Sequence, residues 1–246
     1  MSAPAARSRV FALDFDGVIC DSLEESLLVS WNTHAGAPVS AFVEPGLAGV
    51  PPGVIDRFTR CRPFARHLGH WLVPFLVTSA PSSHAEFLAR YDELATATIR
   101  AFTAAALRYR AQVRRDYADR WLAHHRVQPG LAAVLSDAYI VTARDSRSVR
   151  QILRGHAVAF NERRIFGSRS NKQGALRAIA LREAVEPAAV TLVDDNIENC
   201  MAAQAAGYGA WWATWGYNSP ADHALAAAHD ITPITVQALQ LVALPG

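Results

Sequence analysis

Lysine is nearly absent from this chain of 246 residues. Lys172 is the only lysine, although Lys and Arg together number 24, so every other side chain of that class is arginine. Where composition favours arginine this strongly, a retained lysine indicates a site that needs a compact cation, because the two side chains are not interchangeable at such a site.

Paired cysteines and long apolar runs are also missing. The chain has three cysteines, Cys20, Cys61 and Cys200. They form no CxxC pair, and their odd number does not suit a framework of disulfide bonds. They fit free thiols in a reduced compartment better than disulfides or a zinc site. No run has the length of a transmembrane helix, and the stretch 68–77 is interrupted by glycine, histidine and proline. Residues 1–9 lack the apolar segment of a signal peptide, so we expect a cytoplasmic protein without a membrane partner.

The charge balance argues against a nucleic-acid partner. The chain has 24 basic and 22 acidic residues, for a formal net charge of +2, which indicates no basic arm.

Hydrophobic residues make up 51% of the chain, which allows a packed core in one domain, or in one domain with a smaller second one. The sequence is compatible with a monomer or a homodimer.

The first candidate site follows an apolar run at residues 10–13, which ends in Asp14, Asp16 and Gly17. The run predicts a strand buried on both faces of a parallel sheet, and Gly17 permits a sharp turn after it. In such sheets ligands bind at the carboxyl ends of the strands. Two carboxylates this close repel each other, and a divalent cation or a shared proton relieves the repulsion.

The rest of the chain divides into two patterns. Residues 23–127 contain helical patterns and no convincing strand, whereas from residue 129 onward apolar runs alternate with helical segments. The second pattern predicts right-handed βαβ units. We therefore predict an α/β fold, with a Rossmann-like parallel-sheet core of residues 1–22 and 128–246 and an inserted all-helical domain of residues 23–127.

Two details are predicted inside the helical domain. Pro63 suits the first position of a helix, so a helix is expected after it. Ser82 or Ser83 opens a longer helical region, with a break expected near residues 96–98, where threonines interrupt better helix formers.

Polar residues also end two later predicted strands. One strand ends at Thr142 and another at Asp194 and Asp195, while Lys172 begins the helix between them. Because parallel strands share one carboxyl edge, these side chains are expected to lie close to the first candidate site. Carboxylates from two strand ends suit Mg²⁺. A hydroxyl, a helix N-terminus and an ammonium group suit a phosphoryl group, whose charge they neutralise.

These residues, in this order, resemble the four motifs of the haloacid dehalogenase superfamily, and the helical insertion lies where that family carries its C1 cap. Further phrases resemble the phosphoglycolate phosphatase and β-phosphoglucomutase branches. The matching stretches are Asp14-Phe15-Asp16-Gly17-Val18, Thr142, Lys172, Val193-Asp194-Asp195, Ala202-Ala203, Ala206-Gly207 and Trp215-Gly216-Tyr217. The resemblance implies a Mg²⁺-dependent hydrolase acting on a small-molecule phosphate ester.

The resemblance also implies catalytic roles. Asp14 would accept the phosphoryl group as an aspartyl phosphate and would also bind Mg²⁺. Asp16 would protonate the leaving-group oxygen and later deprotonate water, and its backbone carbonyl would bind Mg²⁺. Thr142 and the backbone N–H of Ala143 would hold a phosphoryl oxygen. Lys172 would pair with Asp14 and the phosphoryl group.

For the metal site, the resemblance implies that Asp195 is the principal acidic ligand of Mg²⁺. Asp194 would contact the ion directly or through water, and the alternative is that it only caps the next helix. Asn199 stands where many relatives carry a second aspartate, and we interpret it as supporting the ligands rather than binding the ion.

Three arginines are candidate substrate-binding residues. Arg144 lies two residues after Thr142, in the loop that we call the threonine loop. Arg62 and Arg66 lie in a part of the helical domain that is rich in hydrogen-bond donors. A bidentate arginine suits an anionic substrate, although arginines on an arginine-rich chain are usually a solvated face. The helical domain is expected to hinge near residues 20–24 and 126–130 and to exclude water when it closes.

Several alternatives follow from the same motifs. Asp16 argues against halide displacement, since true haloacid dehalogenases lack an aspartate there. The absence of lysine from residues 23–127 argues against the Schiff base of phosphonoacetaldehyde hydrolases. A β-phosphoglucomutase-like sugar-phosphate mutase stays open. So does, from a different class, a phosphoaspartate signalling or binding protein without turnover. The fold itself does not name the ester.

Overall fold

The structure, a computed structural model, describes residues 9–243. The chain divides into two compact units. One unit contains the main sheet, ends at Asp21 and resumes at Val127, and the other spans Ser22–Arg126. Within the described range, no helix combines the length and the apolar character needed to cross a membrane.

The unit Ser22–Arg126 is helical. A buried carboxylate fastens its first helix, since Glu25 accepts hydrogen bonds from Arg110 Nε at 2.6 Å and Nη2 at 3.0 Å and from Trp121 Nε1 at 3.1 Å. Its α-helices are α1 (Leu23–His34), α2 (Pro52–Cys61), α3 (Val73–Leu76), α4 (His84–Asp92), α5 (Thr96–Asp116) and α6 (Ala118–Ala123).

Two sequence predictions for this unit are wrong in detail. The break lies between α4 and α5, at residues 93–95, and residues 96–98 begin α5. Their threonines are tolerated because they are exposed in a first turn. After Pro63 the chain forms only 3₁₀ turns, because Ala65 and His67 adopt extended backbone conformations that interrupt any longer helix.

The other unit is built on a parallel sheet. Its strands and the short strands at the unit boundary are β1 (Val10–Leu13), β2 (Cys20–Asp21), β3 (Arg126–Val127), β4 (Tyr139–Val141), β5 (Ile165–Phe166), β6 (Val190–Asp194), β7 (Gly209–Ala213) and β8 (Thr232–Ile234). The six-stranded sheet has the order β5-β4-β1-β6-β7-β8, and β2 pairs with β3 in a separate two-stranded sheet. All neighbours in the larger sheet are parallel.

The centre of this sheet positions the candidate site. All four residues of β1 and all five of β6 are buried, as expected for strands covered on both faces. Leu13 pairs with Ile140 of β4 and with Val193 of β6. The residues that follow these three strands therefore meet at one edge, and the predicted parallel-sheet α/β fold class is confirmed.

Helices cover this sheet. In one buried cluster Leu176 and Ile179 pack with residues of β1, β4 and β6, and in another Cys200 packs with Trp212. The helices are α7 (Ala132–Leu135), α8 (Ser146–Gly155), α9 (Gln173–Glu183), α10 (Ile197–Ala205), α11 (Pro220–Ala228) and α12 (Val236–Ala243).

Candidate active site

Three carboxylates meet at the carboxyl ends of β1 and β6. Asp14, Asp194 and Asp195 form the single group of potential metal ligands found among residues 9–243, with ligand atoms within 4.8 Å of one another. Asp194 and Asp195 are buried, and Asp14 is partly exposed. The side chain of Asp16 does not belong to this group, and a metal contact by its backbone carbonyl stays a prediction.

Lys172 bridges two of these carboxylates. Its Nζ lies 2.9 Å from Asp14 Oδ1 and 2.6 Å from Asp194 Oδ2. The side chain is only 6% exposed. Burial acts to lower the pKa of Lys172, but the charges of Asp14 and Asp194 prevail and hold it above its ordinary range. The ammonium group is therefore charged and fixed beside Asp14.

The cluster carries an excess of negative charge. Three carboxylates around one ammonium group leave a formal charge of −2. The pKa of Asp14 is raised to about 6, because burial, together with the charge of Asp194, outweighs the lowering by Lys172. A divalent cation would balance this charge, and carboxylate oxygens are the hard ligands that Mg²⁺ takes. The residues present therefore fit such an ion.

Asp194 is held by donors on both of its oxygens. Oδ2 accepts from Lys172 and, at 3.0 Å, from Asn199 Nδ2, while Oδ1 accepts from the Asn196 backbone N–H at 2.9 Å. The capping alternative for Asp194 is wrong, because the N-cap of α10 is Asn196, whose side chain accepts from the Glu198 N–H. Asn199 contacts Asp194, and a direct contact of Asp194 with the metal stays a prediction.

Asp195 lies against two glycines, Gly17 and Gly216. Its Oδ2 accepts from the Tyr217 N–H at 2.7 Å, and its carbonyl accepts from Trp212 Nε1 at 2.9 Å. Gly17 has a φ of +92°, and a Cβ there would come within 2.0 Å of Asp195 Oδ2. Glycine is needed at position 17 both for this backbone conformation and for the close approach.

Asp16 is paired with an arginine that the sequence did not connect to it. Arg144 Nε lies 3.0 Å from both carboxylate oxygens of Asp16, and Arg144 Nη2 lies 2.9 Å from Oδ1. The side chain of Arg144 is 3% exposed. The Arg144 N–H also donates to Thr142 Oγ1 at 3.1 Å. The threonine loop thus delivers a buried guanidinium to the second aspartate of the first motif.

The remaining predicted site residues are Ala143, Arg62 and Arg66. Ala143 is exposed beside Thr142. Arg62 and Arg66 belong to the helical unit, where their guanidinium groups donate to the backbone carbonyls of Ala65 and Pro63. Their contact with a substrate stays a prediction.

The structure adds one loop that sequence reasoning assigned no role. Residues 215–217 follow β7 and lie against Asp195 and the turn after β1. In the sequence they carry only a family resemblance. No spacing rule would have predicted their contacts, because these depend on how the sheet brings distant loops together.

No protein-family model matches the sequence, and no curated protein matches it significantly. Solved structures do match. A haloacid dehalogenase-like hydrolase from Streptococcus pneumoniae has a TM-score of 0.59 and 16% identity, with 96% of this chain and 97% of its own covered. A predicted phosphoglycolate phosphatase from Haemophilus somnus has a TM-score of 0.57 and 16% identity, with 96% and 98% covered.

A predicted phosphatase from Clostridium acetobutylicum gives a similar result, with a TM-score of 0.55, 16% identity and coverage of 96% of this chain and 97% of its own. These likenesses extend over both units of the chain. At this level of identity they establish the fold. The chain therefore has the fold of the haloacid dehalogenase-like hydrolases.

Proposed function

We propose that this protein is a phosphatase that hydrolyses a small organic phosphate monoester through an aspartyl-phosphate intermediate. The observation that carries the proposal is the bridge from Lys172 to Asp14 and Asp194, beside Asp195. A buried cation fixed on the candidate nucleophile suits a reaction that brings a phosphate dianion to a carboxylate. The solved structures named as phosphatases support the same activity.

Asp14 is the proposed nucleophile. Its carboxylate oxygen attacks phosphorus, the ester P–O bond breaks, and Asp16 gives its proton to the departing alcohol oxygen. Water then attacks the phosphorus of the aspartyl phosphate and gives a proton to Asp16. The acyl phosphate bond breaks, which releases inorganic phosphate and restores both carboxyl groups.

Other residues of the chain hold the transferring group. Lys172 and the hydroxyl of Thr142, with the N–H of Ala143, neutralise and orient the phosphoryl oxygens that do not react. In the structure Arg144 pairs with Asp16. An anionic substrate that takes over the guanidinium would release Asp16 from this pair, so that Asp16 can carry the proton for the leaving group. Arg144 is thereby a proposed substrate contact.

The proposed cofactor is Mg²⁺. Asp14, Asp195 and the backbone carbonyl of Asp16 would hold it, with Asp194 as a further contact, direct or through water. When bound, the ion supplies positive charge that offsets the carboxylates and the phosphoryl oxygens. The residual charge of −2 on the described cluster supports a divalent ion.

The helical unit is the proposed C1 cap that selects the ester, with Arg62 and Arg66 as candidate contacts to an anionic substrate. We further propose a cytoplasmic monomer or homodimer without a nucleic-acid partner. Among residues 9–243, no specific contact favours the mutase, or the phosphoaspartate protein without turnover, over the phosphatase.

The test uses hydrolysis of para-nitrophenyl phosphate with Mg²⁺ present. Asp14→Asn is expected to abolish turnover, because an amide cannot form the acyl phosphate. Asp56→Asn is the matched control, since this aspartate is exposed on α2. Full activity of Asp14→Asn would overturn the proposal. A stable phosphoprotein that releases no phosphate would instead identify the signalling alternative.

A further inference from the structure

The loop after β7 lies against the turn that leads out of β1. Trp215 Nε1 donates to the carbonyl of Val18 at 2.9 Å. Gly216 comes so close that a Cβ there would lie 2.2 Å from Asp195 Cβ and 2.8 Å from the Gly17 carbonyl oxygen. A side chain at position 216 would therefore force the loop away from Asp195, and the close packing holds the loop in one position.

Tyr217 uses this position to bind two carboxylates at once. Its backbone N–H donates to Asp195 Oδ2 at 2.7 Å, and its phenol hydroxyl donates to Asp21 Oδ1 at 2.8 Å. Asp195 is a member of the acidic cluster, and Asp21 is the last residue before the helical unit. Hydrogen bonds to ionised acceptors are stronger than those between neutral groups.

We propose that Tyr217 is a positioning residue that fixes the linker at Asp21 relative to Asp195. The inference rests on the proposed phosphatase function and adds a determinant of substrate binding to it. Conformational steps in such enzymes depend on a few residues at the ends of elements. While Tyr217 holds Asp21, the linker that leads from Asp21 into the helical unit has one defined conformation. Without this hydrogen bond the linker samples several conformations, of which only some allow productive substrate binding.

The test is a double-mutant cycle on hydrolysis of para-nitrophenyl phosphate. Tyr217→Phe removes the phenol hydroxyl but keeps the N–H on Asp195, and Asp21→Ala removes the acceptor. Each is expected to raise KM about threefold to tenfold, the effect of losing one solvent-exposed hydrogen bond, with kcat nearly unchanged. The double variant is expected to be no worse than Asp21→Ala alone, because Asp21→Ala already removes the acceptor of the Tyr217 hydroxyl.

Three controls separate this role from simple destabilisation. Tyr208→Phe removes a hydroxyl that makes no hydrogen bond within residues 9–243 and should leave KM unchanged. Asp21→Asn keeps an acceptor oxygen and should restore most of the affinity lost in Asp21→Ala. The Mg²⁺ concentration for half-maximal activity should be the same in Tyr217→Phe as in the unmodified protein, because Asp195 keeps its donor.

A KM of Tyr217→Phe equal to that of the unmodified protein would overturn the inference. So would independent, multiplying effects in the double variant. If Tyr217→Phe does not fold, Asp21→Ala and Asp21→Asn decide the question by the same KM comparison. Either failure leaves the phosphatase proposal in place, because that proposal is tested separately by the loss of turnover in Asp14→Asn.

Discussion

Lys172 lies closer to Asp194 than to Asp14, at 2.6 Å against 2.9 Å. Asp194 is fully buried and also accepts from Asn199 and the Asn196 N–H. Because these donors fix the carboxylate, Asp194 in turn fixes the only lysine of the chain. Asp194 thereby holds the ammonium group of Lys172 beside Asp14, the proposed nucleophile.

Asp194→Asn is expected to lower both stability and activity. The change removes one of the two carboxylates that hold Lys172, and the lost charge-assisted hydrogen bond is worth about 1.5–3 kcal/mol. Urea unfolding measures the loss in the free energy of unfolding, and para-nitrophenyl phosphate hydrolysis measures the loss in rate. Asp56→Asn, on an exposed pair, should change neither. Unfolding curves of Asp194→Asn that coincide with those of the unmodified protein would contradict this role.

Magnesium is expected to stabilise the protein. A ligand that binds only the folded state adds about 2.7 kcal/mol at a concentration one hundred times its Kd. The thermal midpoint should therefore rise when Mg²⁺ is titrated into chelator-treated protein and fall back when EDTA is added. Asp195→Asn removes the proposed principal ligand and should abolish most of the rise. An equal rise in Asp195→Asn would place the ion elsewhere.

The centre of the fold was predictable because its signals are local. β1, β4 and β6 are apolar runs that end in polar residues, and a parallel sheet brings such ends together. The far edge was not predicted. β8 contains Pro233, which argues against a strand except at the edge of a sheet, where this one lies. The helix after it, α12, was not predicted either, because it contains no charged residue that would mark an exposed face in the sequence.

The candidate site likewise contains residues whose positions could be predicted from the sequence and a contact that could not. The positions of Asp14, Thr142, Lys172 and Asp194 follow from their places at strand and helix ends. The pair between Arg144 and Asp16 could not be predicted, since it joins residues 128 positions apart and depends on the rotamer of a long side chain.

The helical unit should depend on the buried pair of Glu25 and Arg110. Glu25 is fully buried, and Arg110 also lies over the ring of Trp71. Arg110→Ala removes the cation beside this buried carboxylate and leaves it the hydrogen bond from Trp121 Nε1, so it should lower the free energy of unfolding by about 3–5 kcal/mol. Arg115→Ala breaks an exposed pair and should cost at most about 1 kcal/mol. Chemical denaturation compares the two variants, and equal losses would contradict the prediction.

Acid is expected to destabilise the helical unit through His70. The pKa of His70 is lowered to about 3, chiefly by burial and also by the charges of the neighbouring His67, Arg66 and His84. The unfolded chain binds a proton near the ordinary value of 6.5, whereas the folded chain does not until about pH 3. The unfolded state therefore binds more protons between these values, so stability is complete above pH 6.5 and is lost as pH falls toward 3.

The measurement compares urea unfolding of the unmodified protein and His70→Asn from pH 8 to pH 4. His70→Asn cannot take up this proton, so its stability should fall less steeply with acid, and the two free energies should converge as pH falls. Carboxylate protonation affects both proteins and cancels in the difference. His156→Asn changes an exposed histidine and should follow the unmodified protein. A difference between the unmodified protein and His70→Asn that stays constant with pH would show that His70 is not the group responsible.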